Sequence, residues 1–275
     1  MIRSSAKWLI KQFCALLGLR NANALSCYFA EEVAPVFILR GPAEFKIHFS
    51  CPNRLALWRA QSLYEKEPET IRWIDGFANG DTLLDIGANV GVFSLFAAAR
   101  GHQVMAVEPE AANFALLNTN LHLNHFDNKV QAFNLALADQ AGGSVLYLSE
   151  FGAARALHTV GREENHRHEK STAAFRQGVW QMTMDQLLTA VDGFFPSHIK
   201  IDVDGAEARI IAGAKTTLRD PRLKSVLIEL NEDLQDDCAL VDVFMAAGFR
   251  QSAREHSASV HKGEFNSTYN YIFAR

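Results

Sequence analysis

Residues 81–91 read DTLLDIGANVG and predict a buried strand, a glycine turn and the start of a helix in direct succession. The run Thr82–Ile86 is apolar enough for a buried strand, and Val92–Ala99 resumes with apolar residues at helical spacing. Gly87 and Gly91 have no Cβ, so the backbone can approach a ligand closely at both positions. Because a helix start offers unpaired N–H groups, this succession is typical of a site for the polar part of a nucleotide-like cofactor.

The spacing of the two glycines separates classes of cofactor. A dinucleotide site has the spacing G-x-G-x-x-G, whereas this turn has three residues between its glycines. The carboxylate of Asp85 stands just before the turn, where it would repel a pyrophosphate and would suit a cationic ligand. The amino group and the sulfonium of S-adenosylmethionine are such cations. We therefore expect Asp85 and the turn residues Gly87, Ala88, Asn89 and Gly91 to bind S-adenosylmethionine.

A second carboxylate one strand later strengthens this interpretation. The apolar run Gln103–Val107 predicts the next core strand, and it ends at Glu108 and Pro109. An acidic residue at a strand end, roughly 20 residues beyond the first turn, is placed to accept hydrogen bonds from both ribose hydroxyls. We expect Glu108 and Pro109 to contact the cofactor. The two segments together are far more specific than either segment alone.

Four segments of the chain resemble a known family. They read DIGANVG (residues 85–91), VEPEAANFALLNTN (107–120), IKIDVDGAE (199–207) and LIEL (227–230). Together they resemble the FkbM family of S-adenosylmethionine-dependent methyltransferases, and the resemblance covers residues 81–275. The family usually has Glu where this chain has Asp204, which is a conservative departure.

The resemblance implies a fold, a cofactor and a reaction. The fold is the α/β, Rossmann-like class I methyltransferase fold, with a seven-stranded, mostly parallel sheet, helices on both faces and an antiparallel C-terminal strand pair. The cofactor is S-adenosyl-L-methionine, and for most members the reaction is methyl transfer to a hydroxyl oxygen. The implied acceptor is a hydroxyl on a sugar, glycan, lipid or secondary metabolite, and the residues do not choose among these.

In class I methyltransferases a group after the third core strand reaches the adenine amino group. We expect that strand over residues 130–137, followed by Ala138 and Asp139. Asp139 is therefore the candidate for the adenine contact. The alternative is a solvated turn, because Gly142 and Gly143 follow at once.

The predicted strand His198–Val203 brings three charged residues to the carboxyl edge of the sheet, namely Lys200, Asp202 and Asp204. Ligands bind at that edge in open α/β sheets. Asp202 is the first candidate for the general base that takes the hydroxyl proton, and Lys200 would hold the developing alkoxide or neutralise Asp202. The alternative is an ion pair of Lys200 with an acidic neighbour, since buried charges are costly unless they are paired.

Glu229 lies near the end of the next predicted strand, residues 223–230, and is a second candidate base. Asp202 and Glu229 could share a divalent metal, because some relatives of this fold bind magnesium with carboxylates at these two strand ends. The ligand set is incomplete in the sequence, so metal dependence stays open. A histidine of the polar segment 151–177 is the third candidate base.

That segment is rich in histidine and arginine, with His158, Arg162, His166, Arg167, His168 and Arg176. Long loops inside compact domains are usually functional or disordered. Its positive charge would suit an anionic or sugar acceptor. A solvated insertion is an equally good interpretation.

The composition limits the classes of partner. The chain has 275 residues, 48% of them hydrophobic, and a formal net charge of −4. Without a basic excess we expect no binding to nucleic acid. The four cysteines are scattered, form no C-x-x-C pair and predict reduced thiols in a cytoplasmic protein. The oligomeric state is open.

We expect two regions in the chain. Residues 1–78 predict an N-terminal extension of helices and strands that packs on the core, and residues 79–275 predict the S-adenosylmethionine-binding methyltransferase domain. Within residues 1–19, basic and apolar side chains alternate as in an amphipathic helix. We expect this helix to pack on the domain, and a peripheral contact with a membrane surface is the less favoured alternative.

Apolar periodicity also predicts helices over residues 54–64, 68–77, 112–123, 206–218 and 241–248. Three asparagines fall in or next to the helix 112–123, and they are Asn113, Asn120 and Asn124. We interpret them as helix-surface and cap residues, because asparagine favours such positions.

Two other classes of function compete with a methyltransferase. A protein could hold S-adenosylmethionine or its product without catalysis, although the presence of Asp85, Gly87, Glu108 and Asp202 argues against it. A nucleotide-dependent oxidoreductase on a doubly wound sheet is a further alternative, and the glycine spacing disfavours it.

Overall fold

The computed structural model describes residues 2–16, 35–41, 45–164, 169–256 and 266–275. Within these residues the helices are α1 (Ile2–Leu16), α2 (Arg54–Gln61), α3 (Leu63–Lys66), α4 (Pro68–Asp75), α5 (Val92–Ala99), α6 (Ala111–Asn124), α7 (Met184–Ala190), α8 (Glu207–Ala212) and α9 (Gln235–Ala246). The strands described are β1 (Val36–Arg40), β2 (Lys46–Ser50), β3 (Thr82–Ile86), β4 (Gln103–Val107), β5 (Val130–Phe133), β6 (Ala136–Leu137), β7 (Gly142–Leu148), β8 (Thr159–Val160), β9 (Phe175–Met182), β10 (His198–Ile201), β11 (Ser225–Asn231), β12 (Arg250–Glu255) and β13 (Thr268–Ala274).

The central sheet has seven strands in the order β12-β13-β11-β10-β3-β4-β5. The strands from β11 to β5 are parallel, and β13 runs antiparallel to both β11 and β12. This sheet confirms the predicted class I methyltransferase fold. The chain runs from β3 outward to β4 and β5, then returns to β10 on the other side of β3. The strand order therefore reverses between β3 and β10, where ligands bind in open α/β sheets.

Helices cover both faces of this sheet, as predicted. Along β3, Leu84 and Ile86 pack into a cluster with side chains of α7, α8 and α9. Leu83 points to the opposite face and packs with side chains of α4, α5 and α6. Because successive residues of a strand point to opposite faces, the short run Thr82–Ile86 anchors both halves of the core.

The third core strand is shorter than predicted. The apolar run of residues 130–137 divides into β5 and β6, and Asn134 lies at the break. The Asn134 side chain donates a hydrogen bond to the Glu108 carbonyl oxygen at 2.8 Å, so the residue that follows β5 is bound to the end of β4. β6 then joins an unpredicted four-stranded sheet of order β6-β9-β7-β8.

Two helix predictions need correction at their ends. The helix predicted over residues 206–218 stops at Ala212, and it is capped by Gly213, where a Cβ would lie 2.3 Å from the Ala138 carbonyl oxygen. The next turn is instead held by the Asp185 carboxylate, which accepts the Thr217 backbone N–H at 2.9 Å. The helix predicted to start at residue 241 already begins with Gln235, and acidic side chains in its first turn favour this start.

The strands that precede the core form a hairpin, β1 with β2, and this hairpin packs on α6. Asn120 accepts the Ser50 backbone N–H at 2.8 Å, and its amide donates to the Val90 carbonyl at 2.8 Å. Asn124 accepts from the His48 N–H and donates to the His48 carbonyl. The interpretation of these two asparagines as surface or cap residues is therefore wrong, because they bind the hairpin to the core.

α1 confirms a helix near the N-terminus. It buries Cys14 and exposes Trp8, Leu9, Phe13 and Leu16. Its packing on the domain, a peripheral membrane contact and the domain boundary at residue 78 all stay predictions. Among the described residues, no helix combines the length and the apolar character needed to cross a membrane.

Candidate active site

A cavity of about 570 Å³, here called cavity A, lies at the carboxyl ends of β3 and β4. Its polar wall includes Gly87, Asn89, Glu108 and Pro109, four of the residues predicted to bind a cofactor. Its other wall is apolar and includes the residues Val107, Leu135, Leu137, Val203 and Ile210. An apolar slot with a few polar groups is the usual form of a small-molecule site.

A second cavity of about 810 Å³, here called cavity B, adjoins the first. The residues that line it and not cavity A are Trp58, Arg59, Lys66, Leu157 and Glu229. The residues that line both cavities, here called the shared edge, are Gly87, Asn89, Ala156, Asp202 and Asp204. A ligand longer than cavity A would therefore pass the shared edge into cavity B.

The two glycines of the turn are required by packing within the protein. Gly87 has φ +79°, and a Cβ there would lie 1.9 Å from the Asp202 carbonyl oxygen. Gly91 has φ +85°, and a Cβ there would lie 2.4 Å from Leu117. Gly91 lines neither cavity, and Ala88 is buried in the core. The expected close approach to a ligand thus has geometric support at Gly87 and Asn89 but not at Ala88 or Gly91.

Glu108 ties the two predicted cofactor segments together. Its Oε2 accepts the backbone N–H of Asn89 at 2.8 Å, and its Oε1 accepts that of Glu110 at 2.9 Å. Burial raises the pKa of Glu108 to about 7, although these hydrogen bonds favour the charged form. The carboxylate is fixed in the wall of cavity A, where it could accept hydrogen bonds from ligand hydroxyls.

Asp85 lies behind the turn and lines neither cavity. It is buried, its Oδ2 accepts the Ser94 hydroxyl at 2.6 Å, and its Oδ1 has no hydrogen-bond partner among the described residues. Burial raises the pKa of Asp85, and nearby Lys200 opposes that rise. This geometry gives no support to the predicted direct contact between Asp85 and a cofactor.

Lys200 forms an ion pair with an acidic neighbour, which is the predicted alternative to a catalytic role. It is 1% exposed, and its Nζ donates to Asp202 Oδ2 at 2.9 Å. Burial would lower the pKa of Lys200, but the neighbouring carboxylates, Asp202 first, raise it above its ordinary value. Lys200 lines neither cavity, so it can act on a ligand only through Asp202.

Asp202 lines both cavities, as expected for a residue at the switch between β3 and β10. Burial alone would raise its pKa, but the charges of Lys200 and Lys66 lower it to about 2. A carboxylate with so low a pKa is a weak proton acceptor at neutral pH. It is well suited to stabilise a positive charge beside it.

Three carboxylates converge at the shared edge and in cavity B. Asp202, Asp204 and Glu229 can each place one oxygen so that the three lie within 4.8 Å of one another. Oxygen ligands at this spacing fit a divalent cation. Arg59 and Lys66 line the same cavity, and their positive charges compete with such a cation. The sequence predicts Asp202 and Glu229 as shared metal ligands, and the structure adds Asp204 as a third candidate ligand.

Asp204 and Glu229 differ from Asp202 in their proton affinity. Burial, followed by repulsion from Asp202, raises the pKa of Asp204 to about 6. The same two causes raise the pKa of Glu229 well above its ordinary value. Asp204 adopts the left-handed conformation with φ 58°, which is uncommon for residues other than glycine.

Residues 153–158, here called the strap, run along both cavities: Arg155, Ala156 and His158 line cavity A, and Ala156 and Leu157 line cavity B. Asn113 holds the strap from α6, because its Oδ1 accepts the Ala154 N–H at 2.7 Å. Asn89 donates to the Arg155 carbonyl at 2.7 Å, and Asp204 accepts the Leu157 N–H at 2.7 Å. Asn113 therefore binds the strap to α6, and its interpretation as a surface or cap residue is wrong.

Two further ties connect the strap to α2 and its cap. Asn53 donates to the Ala153 carbonyl at 2.9 Å, and Arg59 donates to the Ala154 carbonyl at 2.8 Å. Ala154 and Leu157 have φ values of 68° and 62°. Two residues other than glycine therefore adopt the left-handed backbone conformation within four positions of the strap. Sequence reasoning missed this strap, since the polarity of the segment 151–177 is its only local signal.

The charged residues of that segment do not gather at one place. His158 lines cavity A, and burial lowers its pKa to about 4. Within the part of the chain that the structure describes, its buried Nε2 has no hydrogen-bond partner. Arg176 instead pairs with Glu163 at 2.8 Å, away from both cavities. The predicted residues His166, Arg167 and His168 lie outside the described residues.

The structure gives no support to the predicted contact between Asp139 and an adenine, and that contact stays a prediction. Asp139 lies outside the lining of cavity A and forms an ion pair with Arg209 at 3.0 Å. Leu135 and Leu137, from the chain just before it, line the cavity instead. The apolar wall of cavity A is therefore the part of the structure that could receive a flat ring.

Comparison with known proteins finds methyltransferases both among relatives in sequence and among solved structures. The chain is 34% identical over 142 residues to a tRNA (guanine(37)-N(1))-methyltransferase of Leishmania major, which is 46% of this chain and 19% of that protein. It is 28% identical over 155 residues to methyltransferase sdnD of Sordaria araneosa, which is 48% of this chain and 59% of that protein. The aligned regions thus span about a fifth and about three fifths of these relatives.

The fold is similar to the crystal structure of methyltransferase FkbM from Methylobacillus flagellatus KT. The TM-score is 0.50 at 14% identity, over 72% of this chain and 44% of that one. A family model described as the methyltransferase FkbM domain matches residues 85–253, which is more than half of the 275 residues. The glycine turn, Glu108 and both carboxylate-bearing strand ends fall inside that match. The chain therefore belongs to the FkbM methyltransferase family.

Proposed function

We propose that this protein transfers the methyl group of S-adenosylmethionine to a hydroxyl oxygen of a sugar, glycan, lipid or secondary metabolite. The observation that carries the proposal is Glu108. Its carboxylate is fixed by the glycine turn in the wall of cavity A, and this cavity opens to cavity B past Asp202. Family membership supports methyl transfer in general, and the choice of oxygen rests on the resemblance.

In this proposal the adenosine part of the cofactor occupies cavity A. Its ribose hydroxyls donate to Glu108, and its adenine packs on the apolar wall near Leu137 and Ile210. The sulfonium then lies at the shared edge, beside the carboxylate of Asp202. A negative charge there stabilises the bound cation and excludes a diphosphate.

The acceptor enters cavity B and meets the methyl group at the shared edge. A lone pair of the acceptor oxygen forms the new C–O bond while the C–S bond of the donor breaks. The electron pair of the C–S bond stays on the sulfur of S-adenosylhomocysteine. Alignment of the two partners and removal of water supply most of the acceleration. The hydroxyl proton passes to a carboxylate of cavity B, with Asp202 as the predicted base and Asp204 and Glu229 as the groups with higher pKa.

Lys200 acts in this scheme as a positioning residue. Its Nζ donates to Asp202 Oδ2 at 2.9 Å, and Lys200 lines neither cavity. A divalent cation, where it binds, would be held by Asp202, Asp204 and Glu229 and would increase the acidity of an acceptor hydroxyl.

The name of the Leishmania relative points to tRNA as another acceptor. The net charge of −4 and the three carboxylates of the site disfavour a polyanionic acceptor for this chain. A protein that binds the cofactor without catalysis is the remaining alternative.

Methyl transfer from a labelled donor to a panel of acceptors tests the proposal. The panel contains sugars, glycolipids, hydroxylated secondary metabolites and total tRNA. We expect label in a hydroxylated small molecule or glycan and none in tRNA. Label in tRNA alone would contradict the acceptor class, and binding of the donor without any transfer would favour a non-catalytic protein.

Calorimetry with S-adenosylhomocysteine tests the cofactor site separately. We expect Glu108→Gln to weaken binding at least about tenfold, because a charged acceptor is lost. Glu65→Gln is the matched control, since Glu65 is exposed and lines neither cavity. Normal binding by Glu108→Gln would refute the site assignment.

A further inference from the structure

Arg59 is a partly buried cation with unused hydrogen-bond donors in the wall of cavity B. It lies in the last turn of α2, and its Nε donates to the Ala154 carbonyl oxygen at 2.8 Å. Within the described part of the chain, its two terminal nitrogens donate no hydrogen bond and form no ion pair. Burial lowers the pKa of Arg59, the nearby carboxylates Asp202 and Asp204 oppose this, and a guanidinium stays protonated.

A charged guanidinium with unused terminal N–H groups can bind an anion. Its planar fork of N–H groups matches the two oxygens of a carboxylate, and such charge-assisted pairs are among the stronger hydrogen bonds in proteins. Leaving these donors unmet in a sheltered wall costs free energy. The chain itself supplies no carboxylate at ion-pair distance among the described residues, so a ligand is the source that remains.

The position of Arg59 identifies which anion reaches it. With adenosine in cavity A, the amino-acid end of the cofactor has to pass the shared edge into cavity B, where Arg59 forms the wall. That end carries one ammonium and one carboxylate. Cavity B has both signs of charge to match it, with Asp202 for the ammonium and Arg59 for the carboxylate.

We propose that the terminal nitrogens of Arg59 bind the α-carboxylate of S-adenosylmethionine, and this assignment rests on the function proposed above. Arg59 lies before residue 85, where the family match begins. The N-terminal extension therefore completes the cofactor site of the family domain.

The same side chain also links the cofactor to the strap. Its Nε holds the Ala154 carbonyl, while the neighbouring strap residues Arg155, Ala156 and His158 line cavity A. A cofactor carboxylate on the terminal nitrogens would fix the guanidinium and, through it, the strap. The test has to separate the contact with the carboxylate from the contact with the strap.

Calorimetry with three ligands makes that separation. S-adenosylmethionine has the carboxylate, decarboxylated S-adenosylmethionine keeps the ammonium and sulfonium without it, and methylthioadenosine lacks the whole amino-acid end. We expect Arg59→Gln to weaken binding of S-adenosylmethionine about 10- to 100-fold. Binding of the other two ligands should change less than about threefold.

Arg54→Gln is the matched control, because Arg54 lies on the same helix, is exposed and lines neither cavity. It should leave all three affinities unchanged. Arg59→Lys keeps the charge without the fork and should lose part of the affinity for S-adenosylmethionine only.

Two results would overturn the assignment of Arg59 alone. Equal weakening of all three ligands by Arg59→Gln would mean that Arg59 acts only through the strap, and unchanged binding of S-adenosylmethionine would mean that the fork meets another anion. A wild-type protein that binds none of the three adenosyl ligands would refute the proposed function and this assignment together.

Discussion

Asp202 carries two interactions that a substitution can separate. It pairs with the buried Lys200, and it faces both cavities. We expect Asp202→Asn to reduce turnover at least about 100-fold, because the charge beside the reacting centre is lost. The same change leaves Lys200 buried without its counterion and should lower the free energy of unfolding by roughly 3 kcal/mol.

Steady-state rates with a labelled donor and denaturant unfolding measure the two effects of Asp202→Asn. The control is Asp233→Asn, since Asp233 is exposed on the loop after β11 and lines neither cavity. Binding of S-adenosylhomocysteine should weaken only about tenfold, because Asp202 is one of the groups that meet its ammonium. Full turnover by Asp202→Asn would remove Asp202 from the chemistry.

Glu108 predicts a dependence of cofactor binding on pH. Burial raises its pKa to about 7, so the charged form that accepts ribose hydroxyls increases as the pH rises from 6 to 8. The charges that act on it come from Glu110, which raises this pKa, and from Arg59 across the strap. We expect the affinity for S-adenosylhomocysteine to rise up to about tenfold over that range.

Calorimetry at several pH values measures this dependence. Glu108→Gln should flatten the profile, because it has no proton to lose. An affinity of the wild type that falls as the pH rises would contradict the proposed role of the charged carboxylate.

At the scale of elements, α6 carries three asparagines that fix other segments to the core. Asn120 is fully buried and meets both Ser50 and Val90. Asn120→Ala leaves a backbone donor and an acceptor without partners, and we expect a loss of about 2 kcal/mol in the free energy of unfolding. Asn118→Ala is the control, since the Asn118 amide is exposed and bonds only within α6.

Denaturant unfolding of both variants compares these costs. The control should stay within about 0.5 kcal/mol of the wild type. A loss of the same size in both variants would show that the helix, and not its bridge to the hairpin, determines the effect.

Local patterns were enough for the elements around the glycine turn. The bounds of β3, α5 and β4 agree with the runs read from the sequence, because each run is apolar and ends at a glycine or a charged residue. The apolar run 130–137 contains no glycine and no charged residue. Its division into β5 and β6 coincides with the hydrogen bond from Asn134 to the Glu108 carbonyl, which is a long-range contact. The early end of α8 falls at Gly213, which lies close to the loop of Ala138, and this long-range contact has no mark in the local sequence.

At the scale of the whole molecule, the site combines what the strand ends supply with what the tertiary fold adds. Asp202 and Glu229 were found because parallel strands bring their carboxyl ends to one edge. Arg59, Lys66 and Asn113 come from helices whose position over that edge depends on long-range packing. Asp85 shows the converse, because its place in the sequence suggests a ligand contact and its burial behind the turn does not.

A buried polar group at the opposite end of the sheet makes the whole fold sensitive to acid. Asp81 precedes β3 and accepts hydrogen bonds from Lys224 and from His198, the latter at 3.0 Å. Burial would raise the pKa of Asp81, but these partners lower it to about 2. Because folding lowers this pKa, the charged Asp81 stabilises the fold at pH values above its ordinary pKa of 3.8. This stabilisation is lost as the pH falls toward 2.

We expect Asp81 to contribute on the order of 2 kcal/mol at neutral pH. Denaturant unfolding at pH 7 should show Asp81→Asn to be less stable than the wild type by about that amount. The difference should shrink between pH 4 and pH 2, since both proteins then lack the charge. A difference that stays constant with pH would mean that the carboxylate charge plays no part.

The strap has a kinetic consequence for the reaction cycle. It lines both cavities and is tied down by side chains from α2 and its cap, the glycine turn, α6 and the loop after β10. Opening these ties together is slower than the motion of a free loop, so departure of the spent donor should limit the steady rate. Rapid mixing would then record one fast turnover per enzyme molecule ahead of a slower linear phase, and loosening the strap with Asn113→Ala would quicken that second phase.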